Sequence, residues 1–301
     1  MTDERASQFI VIHTLSNRFE ADVLSDALEK EKIPVMVKTF EETAYDGLFV
    51  KQRGWGCLMV PDDLAFNACG IIQPLIEAIQ SKSLYADPSE IDPLLWEKLR
   101  REDPKMISLN GQLRYDADRA AYMFPFLDIE LLCSPERESI DALGPNPYHK
   151  LGFEFYLAAL HYLLEAQPRG LAGKWIGQKD IPGGELFFRG PHKFPTDRLV
   201  ELFGSRLDLF GSASERLGGV KVNMGDCAYR VWPFPRVPML FVLWRGDEEF
   251  EPSLQIRFDG SIHLHLQTLD TIWAMVNVVC RSLYVAGKSL MEGSEGSEKV
   301  E

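Results

Sequence analysis

Apolar and polar positions alternate along the chain in a way that marks out its elements. "FIVIHTL" (9–15) is an apolar run of strand composition, and "NRFEADVLSDALEKEK" follows it with Phe19, Val23, Leu24, Ala27 and Leu28 at helical spacing. Asn17 stands at the N-cap of that helix with Glu20 three positions on, the capping-box arrangement. "IPVMVKTF" (33–40) and "CLMVP" (57–61) read as a second and a third strand, and a second helix runs from Asp62 or Asp63 to about Gln80. The strand–helix–strand order predicts parallel pairing of the first two strands. The loop between strands two and three, "EETAYDGLFVKQRGWG", is long for a compact domain, and loops of that length often carry function. Its candidate binding residues are Tyr45, Arg53 and Trp55.

Residues 81–91 are polar, hold a proline and show no periodicity, the pattern of a linker. "DPLLWEKLRRED" then opens a helix with Asp92 as N-cap and Pro93 at its first position. "NG" at 110–111 predicts a hairpin turn, and "YMFPFLDIELL" supplies a strand. "LGFEFYLAALHYLLEAQ" (151–167) is apolar on nearly every side, so it should form a buried helix. "IPGGELFF" reads as a Gly-rich turn into a strand, and "TDRLVELFG" and "SRLDLFGSASERLGG" as short helices ending at glycine. "VKVN", "CAYRVW", "PMLFVLW", "SLQIRF" and "SIHLHL" are strands with little chain between them, which argues for antiparallel pairing. Side-chain parity predicts that the last two form a hairpin through Phe258-Asp259-Gly260, with Ile256 opposite Ile262, Leu254 opposite Leu264 and Gln255 beside His263. A final helix starts near Leu269, with Ile272, Trp273, Val276, Val279, Cys280 and Leu283 on one face. From Gly287 to Glu301 the composition predicts disorder. The fold class is α+β: a small domain over 1–80, then a larger domain over 92–286 with a mainly antiparallel sheet.

Composition narrows the function classes. Asp plus Glu number 45 against 32 Lys plus Arg, a net charge of −13, and no basic run offsets it. Nucleic acid and anionic membranes are therefore poor partners, since both demand local cationic density. The five cysteines lie at no zinc or redox spacing, and "MTDERASQ" lacks the basic and apolar regions of a signal peptide. A reduced, cytoplasmic setting is expected.

Three groups of residues could carry chemistry. In "MLFVLWRGDEEFEPSLQIRFDG" (239–260) an apolar strand runs into Asp247, Glu248 and Glu249. Asp226 and Asp259 would join them if the strands are neighbours, and clustered carboxylates bind divalent metal or share a proton. The plainer reading is a solvated turn. His263 and His265, at i and i+2, would share one face of a strand and could ligate metal, though no third ligand is evident. Glu154, His161 and Glu165 form a polar stripe on a buried helix, but a dinuclear centre would need matching carboxylates on a second helix. No P-loop, dinucleotide fingerprint, serine-hydrolase elbow or H-E-x-x-H motif occurs; in "GLAGKW" a tryptophan follows Lys174.

Two resemblances add to this reading. "HTLSNRFEADVLSDALEKEKIPVMV" with "LMVPDDLAFNACGII" (within 8–80) resembles the prokaryotic signal-transducing family catalogued as domain of unknown function 2007, which implies a ferredoxin-like fold and a ligand or partner at the loop 41–56. The spacing "LGG…GD…FPRVP…LW…GDEEF…FD" resembles the prokaryotic family domain of unknown function 3786, and that signature includes Arg236 with the acidic turn. Asp226, Arg236, Asp247, Glu248, Glu249 and Asp259 are thus the candidate binding rim. Some members of the second family carry an iron–sulfur domain and occur beside corrinoid chemistry, but this chain has no cysteine cluster to match. The expectation is a regulatory or accessory protein that binds a small molecule or protein partner, with no identified cofactor. The alternatives are a metal-assisted, carboxylate-centred enzyme and a corrinoid or haem accessory protein using His161 or His263.

Overall fold

The computed structural model describes residues 9–15, 18–39, 56–81, 88–247 and 249–297, and the chain divides between Leu84 and Tyr85 into two units. In the first, β1 (Phe9–Leu15), α1 (Arg18–Lys30), β2 (Met36–Thr39), β3 (Gly56–Pro61) and α2 (Ala65–Ser81) follow in order. The sheet order is β1-β3-β2, and both pairings are antiparallel. β1 and β2 run in the same direction, as a crossover helix requires, yet they do not pair, because β3 lies between them. The expected parallel ladder is corrected to a split βαβ unit, the arrangement of ferredoxin-like folds. The most apolar strand takes the centre: Leu58 and Val60 are fully buried and pack with Leu24, Leu28 and Ile72 of the two helices. Glu20 is buried and bonds His13 Nε2 at 2.9 Å. Asn17 and the loop residues Tyr45, Arg53 and Trp55 lie outside the described residues.

The second unit opens on two Asp-Pro starts. Asp92 accepts the Leu94 N–H at 2.9 Å to begin α3 (Pro93–Arg101), and Asp103 accepts the Lys105 N–H at 2.9 Å to begin α4 (Pro104–Gly111). The expected hairpin at Asn110-Gly111 is instead the end of α4, where Gln112 takes a left-handed conformation (φ 54°) and the chain turns away. β4 (Arg114–Asp116), β5 (Ala121–Phe126), β6 (Ile129–Ser134) and β7 (Ser139–Ala142) form an antiparallel meander. "YMFPFLDIELL" therefore makes two strands, not one. Leu127 (φ 52°) reverses the chain between them and donates its N–H to the Trp232 carbonyl at 3.1 Å.

α5 (Phe153–Glu165) follows, then β8 (Trp175–Ile176), α6 (Gly184–Phe187), α7 (Asp197–Phe203) and α8 (Leu207–Arg216). The strand expected from "IPGGELFF" is the short helix α6, where Gly184 sits against the Gln178 carbonyl with no room for a Cβ. β9 (Val220–Val222), β10 (Cys227–Phe234), β11 (Val237–Trp244), β12 (Ser253–Asp259) and α9 (Leu269–Ser297) complete the chain. The second sheet is antiparallel throughout, in the order β8-β12-β11-β10-β9. Phe241 pairs with Ile256 and Leu243 with Leu254. Its inner face, including Tyr229, Met239, Phe241 and Phe258, joins the core. α7 and α8 lie on that sheet, and α9 packs on α5, α7 and α8.

Two expectations at the C-terminal end are corrected. "SIHLHL" is not a strand: Ile262–Leu264 is a 3-10 turn, and the edge of β12 is met by β8. The Asp259 carboxylate bends the chain at this point by capturing the N–H and hydroxyl of Ser261, and the turn buries Ile262 and Leu266 in the core. The stretch read as disordered from Gly287 continues α9 to Ser297, and Gly287 lies directly against the Phe203 ring. Among the described residues α9 is also the one helix long and apolar enough to cross a membrane, over Leu269–Glu292. Most of its apolar window, 61%, is buried inside the unit, as a core helix requires.

Candidate functional site

The two ends of β12 hold the carboxylates singled out by the sequence, and they are far apart. At one end, Asp247 Oδ1 accepts the N–H groups of Glu249 (2.9 Å) and Phe250 (2.8 Å), while its own N–H bonds the Phe250 carbonyl at 2.9 Å. These two backbone donors hold the Asp247 carboxyl below its ordinary range. Asp226 accepts the Arg245 N–H at 2.8 Å beside this turn. Asp226, Asp247 and Glu249 are all exposed; Glu248 lies outside the described residues. The acidic tip is a solvated turn that closes the β11–β12 hairpin.

Asp259 is at the other end, six residues from Ser253, roughly 20 Å along an extended strand. It is buried and accepts from Ala172 N (2.7 Å), Gly173 N (2.8 Å), Ser261 N (3.0 Å) and Ser261 Oγ (2.6 Å). Burial pushes its carboxyl up, but the four donors outweigh that and leave it below the ordinary value. The expected common acidic rim is therefore not assembled.

Asp259 instead belongs to a set of side chains that pin the segment 166–174. Arg236, in the β10–β11 turn, donates to the carbonyls of Asn110, Arg169 (2.7 Å) and Leu109 (3.3 Å), and its N–H bonds Tyr162 Oη at 3.1 Å. Two of these carbonyls belong to the last turn of α4, where a cation is favourable. Tyr162 donates to the Gly111 carbonyl at 2.8 Å and stacks on Phe234, with centroids 4.6 Å apart. His265, fully buried, accepts the Gln167 N–H at Nδ1 (3.4 Å). Burial, helped by the nearby Arg236 charge, brings the imidazole down to about 4, so it is neutral at pH 7.

The histidines do not form a metal pair. His263 is exposed on the 3-10 turn while His265 points into the core, because the segment is not the strand the i, i+2 reading required. His161 Nδ1 meets Glu165 Oε1 at 2.6 Å, and Glu165 Oε2 accepts the Gln267 N–H at 2.7 Å. Glu154 bonds Asn277 (2.9 Å) and Arg281 (2.8 Å). The polar stripe of α5 thus fastens α9 and the segment before it. Among the described residues no three His, Cys, Asp or Glu side chains are grouped to hold a metal ion.

One Ser–His–Asp constellation escaped the sequence reading. His149 lies between Ser282 Oγ (Nδ1, 2.9 Å) and Asp128 Oδ1 (Nε2, 2.7 Å), residues separated by 133 and 21 positions in the chain. Ser282 is buried on α9 and commits its hydroxyl proton to the Val278 carbonyl at 3.0 Å. A nucleophile must reach substrate, and this serine does not; the constellation latches α9 to the β5–β6 turn.

The pinned segment leads to the feature with room for a ligand. β8 pairs with only Phe258 and Asp259 before the chain turns away at Gly177, whose N–H is held by Asp180 Oδ2 at 2.8 Å. Beside the remaining length of β12 opens a cleft of about 520 Å³, lined by Gly177–Asp180, Lys193, Phe194, Thr196 and Leu254–Arg257. Its lining carries three cations (Lys179, Lys193 and Arg257) and one carboxylate, Asp180, in a chain whose net charge is −13. Lys179 is exposed and makes no ion pair among the described residues. Lys193 pairs with Asp197 at 2.7 Å in an exposed contact of little net strength. Arg257 donates from Nη2 to Gln255 at 2.9 Å, and its Nε is buried without a partner among the described residues. Nothing in the local sequence announces this site. Its cations are 14 and 64 positions apart and meet only because β12 and the 177–196 segment are adjacent.

Neither the curated proteins nor the solved structures contain a match to this chain. A family model does match, over residues 103–282, well over half of the chain and entirely within the second unit. That span holds the acidic turn, Arg236, the pinned segment and the cleft together. The chain belongs to the family described as domain of unknown function DUF3786.

Proposed function

We propose that this is a cytosolic regulatory or accessory protein whose larger unit binds an anionic ligand in the cleft beside β12, and that it acts by binding and not by catalysis. The observation that carries this reading is the local reversal of charge: Lys179, Lys193 and Arg257 line one cavity of about 520 Å³ in a chain of net charge −13. Hydrogen bonds from ammonium and guanidinium groups to an anion are charge-assisted and so stronger than neutral ones. Asp247 and Asp259, two of the carboxylates that would have served a metal-assisted enzyme, are occupied with backbone N–H groups at opposite ends of one strand, which favours binding over acid–base chemistry. The first unit, with its split βαβ sheet, is read as the sensor or partner-recognition half.

The test is titration of the full chain with inorganic pyrophosphate, followed by NMR. Shifts concentrated at Lys179, Thr196, Gln255 and Arg257 are expected, with Arg257→Gln weakening binding about fivefold or more, as loss of a charge-assisted bond predicts. Shifts confined to other parts of the second unit, or none, would remove the reading.

A further inference from the structure

The cleft has a property that a simple anion pocket does not need. Four consecutive residues of β12, Leu254, Gln255, Ile256 and Arg257, all line it. Successive side chains of a strand point to opposite faces: Leu254 and Ile256 belong to the core, whereas Gln255 and Arg257 face the other way. A cavity bordered by both sets therefore approaches the strand along its edge. That edge is open. β11 occupies one side of β12 along its length, and on the other side β8 pairs only with Phe258 and Asp259. The outward N–H and C=O groups of Ser253–Arg257, roughly 17 Å of strand, have no ladder partner among the described residues.

We propose that the partner is an extended, acidic peptide segment of another protein, which adds to the five-stranded sheet as a strand beside β12. This rests on the reading of the cleft as an anion site and specifies its ligand. Strand addition draws affinity from main-chain hydrogen bonds and specificity from pockets for alternate side chains. The open edge accommodates about five residues, and carboxylates among their alternate side chains on the Arg257 side would meet the cationic lining of Lys179, Lys193 and Arg257. Lysines beside an edge also repel a second copy of the same edge, the usual protection of open sheets against self-association. The edge is thus closed to the protein's own β12 and open to an acidic strand.

The experiment uses the full chain and three probes: a capped Glu-Val-Glu-Val-Glu peptide, the same peptide N-methylated at alternate backbone nitrogens, and inorganic pyrophosphate. The expected result is slowed amide exchange within Ser253–Arg257 on adding the first peptide, with affinity reduced about tenfold or more by N-methylation, because main-chain bonds carry strand addition. Arg257→Gln should weaken the unmodified peptide while leaving the fold intact by circular dichroism. Equal binding of both peptides, with pyrophosphate also binding at the cleft, would overturn strand addition and leave the anion site standing. If neither peptides nor pyrophosphate perturb the cleft, both readings fall.

Discussion

Asp247 and Asp259 stand near opposite ends of the same strand, and both are held below the ordinary carboxylate range by backbone N–H donors. Yet one is exposed and the other is buried. Asp247 organises only its own turn, bonding residues two and three positions away. Asp259 reaches across 86 and 87 positions to Gly173 and Ala172 and so sets where β8 begins. The lesson is that sequence clustering marked the end where water does most of the solvation. The end that fixes where β8 begins is held by a single buried carboxylate.

Four measurements probe the difference between the two ends. Asp259→Ala leaves four donors without their acceptor and should lower unfolding free energy by about 3–5 kcal/mol, the range for breaking a buried charged network; urea denaturation measures it. A loss under 1 kcal/mol would place Asp259 with Asp247. Acid should act at the same end. Folded His265 titrates at about 4, against about 6.5 unfolded, so between these values the unfolded state binds more protons. Stability should therefore be full above pH 6.5 and fall as pH drops toward 4, by up to about 3 kcal/mol in all. His265→Gln should flatten that slope, and an unchanged slope would exclude His265 as its source. Below that window the depressed carboxyl of Asp259 adds a further loss in the same direction.

Smaller still is Tyr162→Phe, which removes the donor to Gly111 and the acceptor for Arg236 while keeping the stack on Phe234. A loss of about 1–2 kcal/mol is expected, read from the shift of the denaturation midpoint. Asp247→Ala should be the least: faster amide exchange at Glu249 and Phe250 with the global midpoint unmoved. A large global shift there would erase the distinction between the two ends.

Much of the fold could be read from residue patterns, because burial periodicity is local information. The apolar run 237–244, the buried helix 153–165 and the Asp92-Pro93 start appear as expected. Where reading failed, a non-local contact decided. "SIHLHL" alternates like a strand, but the Asp259 carboxylate and the arrival of β8 turn it into a 3-10 segment. "NG" is a strong hairpin signal, yet here the glycine ends α4 and offers its carbonyl to Tyr162. Parallel pairing of β1 and β2 lost to β3, whose greater burial demanded two neighbours. Arg236, carried by a family signature, bonds the carbonyls of Leu109, Asn110 and Arg169 and so ties the end of α4 to the pinned segment. Lys179, Lys193 and Arg257 gave no signal, since a lysine in a loop and an arginine on the polar face of a strand are ordinary in isolation. The latch of Asp128, His149 and Ser282 was equally hidden by its separation in the chain.

Residue-resolved amide hydrogen exchange on the full chain reads most directly whether the edge of β12 is open to a partner strand. Outward-facing amides within Ser253–Arg257 are expected to exchange much faster than Phe258 and the amides of β11, and to become protected when the acidic peptide is added. Uniform slow exchange along β12 with and without peptide would contradict it.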